Sequence, residues 1–318
     1  MRENYVNVGR RRQYRRRTTN RILLVIISAV VIFILSLLLG NYLRAQINAL
    51  PPRGDMPEDM LSGQLPADTS DASRVSIMAS SLPLSSLADS AAIGAVVEEL
   101  TLGSREAVSL RLRDTNGEVH FRSAVAQRLT GQTPVGVDLA QLVPALKKAN
   151  IYTSAVLSVT SFTETDQVAL ELQRAFEISL AAEIGSAGVD ELLLTDLPVS
   201  VDNLDGITAY IAEIKAQLED SVQLAVAVPP AMVEGASGTV LVKQLSQYAD
   251  TVALDLRALT PADGKTYPET VSAILANASL YFSKYNMRII LPVTEDAVFS
   301  ELRQILELNA VHNWQIIE

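Results

Sequence analysis

The 318-residue chain has no cysteine, two histidines and a single tryptophan. Without Cys there is no disulfide scaffold, no thiolate-bound zinc or iron–sulfur centre, no thiol nucleophile and no lipidated N-terminal Cys. Two His are too few for a His-rich metal site and leave little for a His-based triad. No GxGxxG and no GxxxxGK[ST] occurs, so neither a dinucleotide fingerprint nor a phosphate loop is present. Neither His120 nor His312 belongs to an HExxH or a GxSxG arrangement. Asp202-Asn203-Leu204-Asp205 and Asp263-Gly264 read as a helix cap and a turn, because calcium takes about six to eight oxygens. These absences lead us to expect no metal and no cofactor. What the chain does have is a 48% share of hydrophobic residues, too many for a mainly disordered protein.

The net charge of −10 is the sum of two unlike parts. Residues 1–21 hold eight Arg (Arg2, Arg10, Arg11, Arg12, Arg15, Arg16, Arg17 and Arg21) and one acid, Glu3, a net of +7. The remainder carries 18 basic and 35 acidic residues, a net of −17. The basic head alone resembles a nucleic-acid arm, but the segment after it gives a better reading. Ile22 to Leu39 is an uncharged run, ILLVIISAVVIFILSLLL. At ~1.5 Å per residue it spans ~27 Å as a helix, close to the hydrocarbon thickness of a bilayer. Arg on its N-terminal side predicts a cytoplasmic N-terminus. The apolar core of a cleaved signal peptide is shorter, about 7–15 residues, and ends in a small-x-small site. Asn41-Tyr42-Leu43-Arg44 offers no such site. We therefore expect a basic cytoplasmic head at 1–21, a transmembrane signal-anchor at 22–40, and everything beyond it outside the cell. No nucleic-acid partner is expected. The stretch 41–74, with Pro51-Pro52, Pro57, Pro66, Gly54 and Gly63 and no apolar periodicity, reads as an extracytoplasmic spacer.

From Val75 onward, short apolar runs alternate with longer helical patterns. The predicted strands are Val75–Ala79, Ala107–Leu112, Tyr152–Val159, Glu191–Leu194, Val222–Val228, Thr251–Leu256, Arg288–Leu291 and Trp314–Ile317. Helices are expected at Leu87–Leu100, Asp138–Lys148, Asp166–Ile184, Leu204–Leu218, Val240–Tyr248, Pro268–Tyr285 and Ala297–Leu308. The strands are near-continuous apolar runs, as parallel strands buried on both faces should be. Eight of them over residues 75–318 give the arithmetic of a (β/α)8 TIM barrel. An open doubly wound sheet is the runner-up. No helix follows the eighth strand before Glu318, so either the spacer side covers that flank or a seam stays open.

Four stretches carry a resemblance. They are Val108–Phe121 (VSLRLRDTNGEVHF), Leu142–Val156 (LVPALKKANIYTSAV), Gly188–Pro198 (GVDELLLTDLP), and Gln304-Ile305 through Asn313-Trp314-Gln315-Ile316-Ile317. In content and order they resemble a family of secreted bacterial TIM-barrel proteins classed as glycoside hydrolases. The resemblance implies a glycoside-hydrolase-like barrel, an envelope polysaccharide as substrate, and carboxylates at the strand ends. With Asp190-Glu191 on the family's Asp-Glu, Thr195 stands where the fourth-strand carboxylate belongs, and Asp196 follows it. Arg111 stands at the family's first Asp in the second strand. Asp255 and Arg257 stand where the family has Met and Tyr.

Glycoside hydrolysis needs two carboxyl groups, about 5–5.5 Å apart in retaining enzymes and about 6.5–9.5 Å in inverting ones. Barrel sites form at the C-terminal ends of strands, which offer Asp114, Asp196, Asp255, Glu295 and Glu318. Asp196 and Asp255, from strands four and six, make the best pair, with Glu295 as the alternative partner. One step along a strand reverses a side chain, so Asp196 serves only if the strand end bulges or unwinds. Substrate-binding candidates are Asp114, Arg113, Arg257 and Trp314. The competing reading makes Asp196 a turn residue, Asp255 an ion-pair partner of Arg257, and Glu295 a helix start. On that reading the barrel is catalytically inactive and serves as a glycan-binding, protein-binding or structural component of the envelope. Only twelve aromatic residues fall in the barrel, which favours the binding reading, because sugar sites usually stack rings on aromatic side chains.

Overall fold

The structure, a computed structural model, describes residues 77–82, 90–103, 105–131, 136–163, 166–200, 202–233, 235–261 and 264–317. The basic head, the apolar run, the spacer and Glu318 lie outside the described residues. Among the described residues, no helix is long and apolar enough to cross a membrane. The chain divides into two units, Met1–Ala72 and Ser73–Glu318, and every described residue belongs to the second.

Eight parallel strands close into a barrel in sequence order: β1 Met78–Ser81, β2 Ala107–Arg113, β3 Tyr152–Ser158, β4 Glu191–Thr195, β5 Gln223–Val228, β6 Thr251–Asp255, β7 Met287–Pro292 and β8 Trp314–Ile317. The helices are α1 Ser90–Leu102, α2 Ala124–Thr130, α3 Leu139–Lys148, α4 Gln167–Ser186, α5 Leu204–Lys215, α6 Gly235–Leu245, α7 Tyr267–Lys284 and α8 Asp296–Leu308. Closure is direct, since Met78 and Ala79 of β1 pair with Trp314 and Gln315 of β8. The expected TIM barrel is therefore present, and the open doubly wound sheet is excluded.

Alternation along the strands builds two cores. Outward residues such as Val108, Leu110, Ala155, Leu157, Leu192, Leu194, Leu224 and Ile289 pack against Leu142, Leu146, Leu180, Ile184, Ile207 and Ile211 of the helices. Each such Val, Leu or Ile side chain, fully buried, contributes about 1.5–3 kcal/mol. Inward residues Val156, Leu193, Ala225, Ala227, Ala253, Ile290 and Ile317 form a separate, smaller cluster. Its three alanines keep the barrel's interior slender, which leaves space for the long polar side chains above and below it.

Several boundaries depart from the sequence reading. The first strand runs Met78–Ser81, not Val75–Ala79, because Ala79 is where β1 meets both Ala107 and Gln315. Helix α4, expected to end at Ile184, continues to Ser186; Gly188, at φ 83°, makes the exit turn. Gly235-Ala236-Ser237-Gly238 reads as a loop but forms the first turn of α6. A Cβ on Gly238 would fall 2.6 Å from the Met232 carbonyl oxygen, so a bare α-carbon is what lets the helix lie on the preceding 3₁₀ turn. Helix α2 is absent from the sequence reading because it depends on tertiary partners. Ser123 caps it, and the Glu183 carboxylate of α4 accepts from the Ala124 amide and the Ser123 hydroxyl.

Candidate carboxylate site at the barrel mouth

Strands β3, β4 and β6 end side by side or nearly so, and each delivers one polar group to the C-terminal mouth. Ser158 pairs in register with Thr195, and both share the inward face with Val156 and Leu193. Asp196 comes next and by alternation should turn outward. Instead its backbone takes φ 62°, a left-handed conformation unfavourable for a side chain with a Cβ, though Asp tolerates it better than most. The strand thus unwinds at this residue, and the Asp196 Oδ2 accepts hydrogen bonds from the hydroxyls of Ser158 and Thr195. This is the condition the sequence required for Asp196 to reach the mouth. Beyond it, Asn203 braces the loop: its Oδ1 accepts from the Ser200 amide and hydroxyl, and its amide donates to the Pro198 carbonyl.

Asp255, the last residue of β6, faces inward with Ala253. It receives the guanidinium of Arg257 on both oxygens, with Nε 3.0 Å from Oδ1 and the terminal nitrogen 2.7 Å from Oδ2. The Arg257 backbone amide donates to Asp255 Oδ1 as well. The same terminal nitrogen lies 3.4 Å from Asp196 Oδ1. Those two carboxylate oxygens are therefore at most the sum of the two bond lengths apart, about 6 Å, against the 5–5.5 Å of retaining glycosidases. Burial works against the Arg257 charge, but bonding to Asp255 and then the charge of Asp196 outweigh it and hold the guanidinium above its ordinary pKa. Beside them the Tyr267 hydroxyl donates to the Leu256 carbonyl. Burial, then the Asp255 charge, push its pKa upward, so it stays protonated.

The other sequence candidates lie elsewhere. The register between β2 and β3 slips between Arg111 and Arg113, an irregularity that leaves Leu112 unpaired. Arg111 keeps the inward face, opposite Val156, while Arg113 is turned outward with Leu157. There Arg113 is 1% exposed and bonded to Glu177 of α4, which removes it from direct substrate contact. Trp314 also faces out of the barrel, stacked edge-on against Phe299 of α8 with ring centres 5.5 Å apart. It packs the wall and does not line the mouth. Glu295 is the exposed N-cap residue of α8, and its side chain makes no capping bond.

Asp114 forms the turn after β2, where its Oδ1 accepts from the amides of Asn116 and Glu118 and its Oδ2 lies 3.4 Å from His120 Nε2. Burial alone would raise its pKa, but the two amides and His120 prevail and hold it below the ordinary aspartate value. A depressed folded-state value means stability present above about pH 4 and lost as pH falls through the folded pKa. Asp114→Asn is accordingly expected to cost about 1 kcal/mol at pH 7. The gap between variant and parent melting curves should narrow as pH falls below about 4 and close once pH passes the folded pKa; a gap of constant size down to about pH 2 would contradict the assignment.

Sequence reading missed Ser158 and took Thr195 only as the residue standing in place of a carboxylate; both donate to Asp196. The signal for that role was a hydroxyl at the last inward position of two adjacent strands. Among the described residues, no group of three or more His, Asp or Glu is placed to hold a metal ion.

No protein-family model and no curated protein matches the chain. Solved structures similar to it include the spore cortex-lytic enzyme SleL of Bacillus cereus, at 8% identity and a TM-score of 0.48, covering 77% of this chain and 71% of that one. The catalytic domain of the β-amylase from Paenibacillus polymyxa is similar at 10% identity and a TM-score of 0.44, covering 76% and 92%. Dihydrodipicolinate synthase from Agrobacterium tumefaciens is similar at 13% identity and a TM-score of 0.46, covering 77% and 71%.

Proposed function

We propose that this protein is a single-pass, N-in membrane protein whose extracytoplasmic barrel is glycoside-hydrolase-like and acts on an envelope polysaccharide through Asp196 and Asp255. The observation that carries the reading is the meeting of these two carboxylates on one guanidinium, with Asp196 turned to the mouth by a left-handed residue. Strained backbone concentrates at working sites, and an oxygen–oxygen separation of at most about 6 Å leaves room for the ~5–5.5 Å spacing of two carboxylates acting on one glycosidic bond. Asp196 takes the role of acid or nucleophile, and Asp255 is its partner. Arg257 orients both in the resting site, and the hydroxyls of Ser158 and Thr195 fix the rotamer of Asp196. The membrane anchor and the external location rest on the apolar run 22–39 and the Arg cluster before it, and the glycan class on the resemblance of 108–121 and 188–198.

Purified protein incubated with cell-wall and capsular glycans should release reducing ends, and Asp196→Asn should release none. Equal release by the two removes Asp196 from the site. The second reading, a barrel that binds glycan without cleaving it, is favoured by Arg257 itself. An acid–nucleophile pair needs one carboxyl protonated, and here a cation bridges both. Glycan retained by the parent protein with no release of reducing ends would select that reading.

A further inference from the structure

The buried ion pair between Arg113 and Glu177 lies outside the barrel, and the carboxylate mechanism does not use it. Its reach into the mouth can be followed bond by bond. Arg113 donates from one terminal nitrogen to the Glu177 carboxylate at 2.8 Å and to the backbone carbonyl of Ser158. From the other it donates to the Thr160 hydroxyl at 2.7 Å. Glu177 Oε1 accepts in turn from the amides of Thr160 and Ser161, at 2.8 and 3.1 Å, and its Oε2 from the Tyr210 hydroxyl at 3.0 Å. The pair thus grips the segment 158–161 from both sides, at the residue whose hydroxyl holds Asp196.

Stability is a poor explanation for this arrangement. Both side chains are essentially inaccessible, at 1% and 0% exposure. Removing two such charges from water costs about as much as their attraction returns, and apolar replacements of equal volume often do as well or better. The Arg113 Nε is buried with no acceptor among the described residues, so the fork is not even fully satisfied. The register shift in β2 is spent on aiming this one side chain outward, and bulges near barrel rims typically re-aim a side chain.

We propose that Arg113 and Glu177 are positioning residues for Asp196, acting through Ser158: they fix the end of β3 so that the Ser158 hydroxyl meets the Asp196 carboxylate. The proposal rests on the reading of Asp196 as the working carboxylate, and it is tested by a signal that does not depend on turnover. The full chain, in detergent micelles with aspartate labelled at the carboxyl carbon, gives one resonance that disappears in Asp196→Asn. That resonance should move in Ser158→Ala. It should move in the same direction in the double variant Arg113→Met/Glu177→Met, with a cooperative melt retained and wall-glycan turnover reduced about tenfold at unchanged KM. Arg113→Lys, which keeps the charge but loses the fork, should move it part of the way. If the double variant does not fold, Arg113→Lys carries the comparison, since it keeps both buried charges and loses only the fork. An Asp196 resonance unmoved in a folded variant of this pair overturns the proposal. Absence of hydrolysis by the parent protein overturns the enzymatic reading alone.

Discussion

Glu191→Leu is expected to destabilise the barrel by about 3–5 kcal/mol, the cost of leaving a buried charge without its partner. At ~2–4 °C per kcal/mol for a domain of this size, the melting temperature should fall by roughly 6–20 °C. Glu191 opens β4 on the inward face and is fully buried, as is Arg288 of β7, whose two terminal nitrogens bind its two oxygens across the barrel floor. The Ser154 hydroxyl donates to Glu191 at 2.8 Å, Gln315 accepts from Arg288 at 3.1 Å, and Gln315 donates back to Ser154 at 3.0 Å. Arg288 Nε binds Asn313 at 2.9 Å. Every strong partner belongs to another member of the cluster, so removing one charge strands the rest. Glu191→Leu combined with Arg288→Met should therefore recover most of the loss, as measured by circular-dichroism melts of the two single variants and the double. Two single losses that merely add in the double variant would mean the pair is not coupled.

That floor shows what a sequence can and cannot convey about such a barrel. The eight strands were legible because continuous apolar runs buried on both faces leave a pattern that needs no partner to be recognised, and β8 falls on Trp314–Ile317 as read. The start of α4 was legible too: the helix is expected from Asp166, and Asp166 accepts from the Ala169 amide as its N-cap. Glu191–Arg288 and Arg113–Glu177 were not, because their partners are 97 and 64 residues apart and neither side chain differs in sequence from an exposed one. In the sequence Arg113 reads as a mouth residue, because Arg113-Asp114 sits at a strand end. A one-residue slip in β2, invisible in composition, sent it to the other face. Asp196 is the converse case. Strict alternation turned it away from the mouth, and a single left-handed residue brought it back. The Arg257–Asp255 ion pair, which belongs to the competing reading of the sequence, forms; the second contact of Arg257 with Asp196 depends on the barrel closing β4 and β6 onto one mouth.

On the proposed reading, Asp255→Asn is expected to reduce wall-glycan turnover by about 10²–10⁴-fold, the usual worth of a positioned general acid or base, with substrate affinity largely retained. The amide keeps the size of the carboxylate and still accepts from the Arg257 backbone amide, so the turn after β6 should stand. What it loses is the charge that engages the Arg257 side chain at three distances of 3.2 Å or less. Arg257 is then left with Asp196 as its remaining carboxylate among the described residues, which draws the guanidinium further over the group that, on that reading, meets the glycosidic oxygen or the anomeric carbon. The variant therefore suffers twice, from the missing partner and from a more heavily masked Asp196. Arg257→Gln separates the two effects, because it unmasks Asp196 while keeping Asp255. Added to Asp255→Asn, it should recover part of the lost rate if masking matters, and none of it if Asp255 is itself the nucleophile. Reducing-end release under single-turnover conditions, alongside binding of the same glycan, reads both quantities. A rate unchanged by Asp255→Asn leaves Arg257 as a simple ion-pair partner and moves the reading to a barrel that binds glycan without cleaving it.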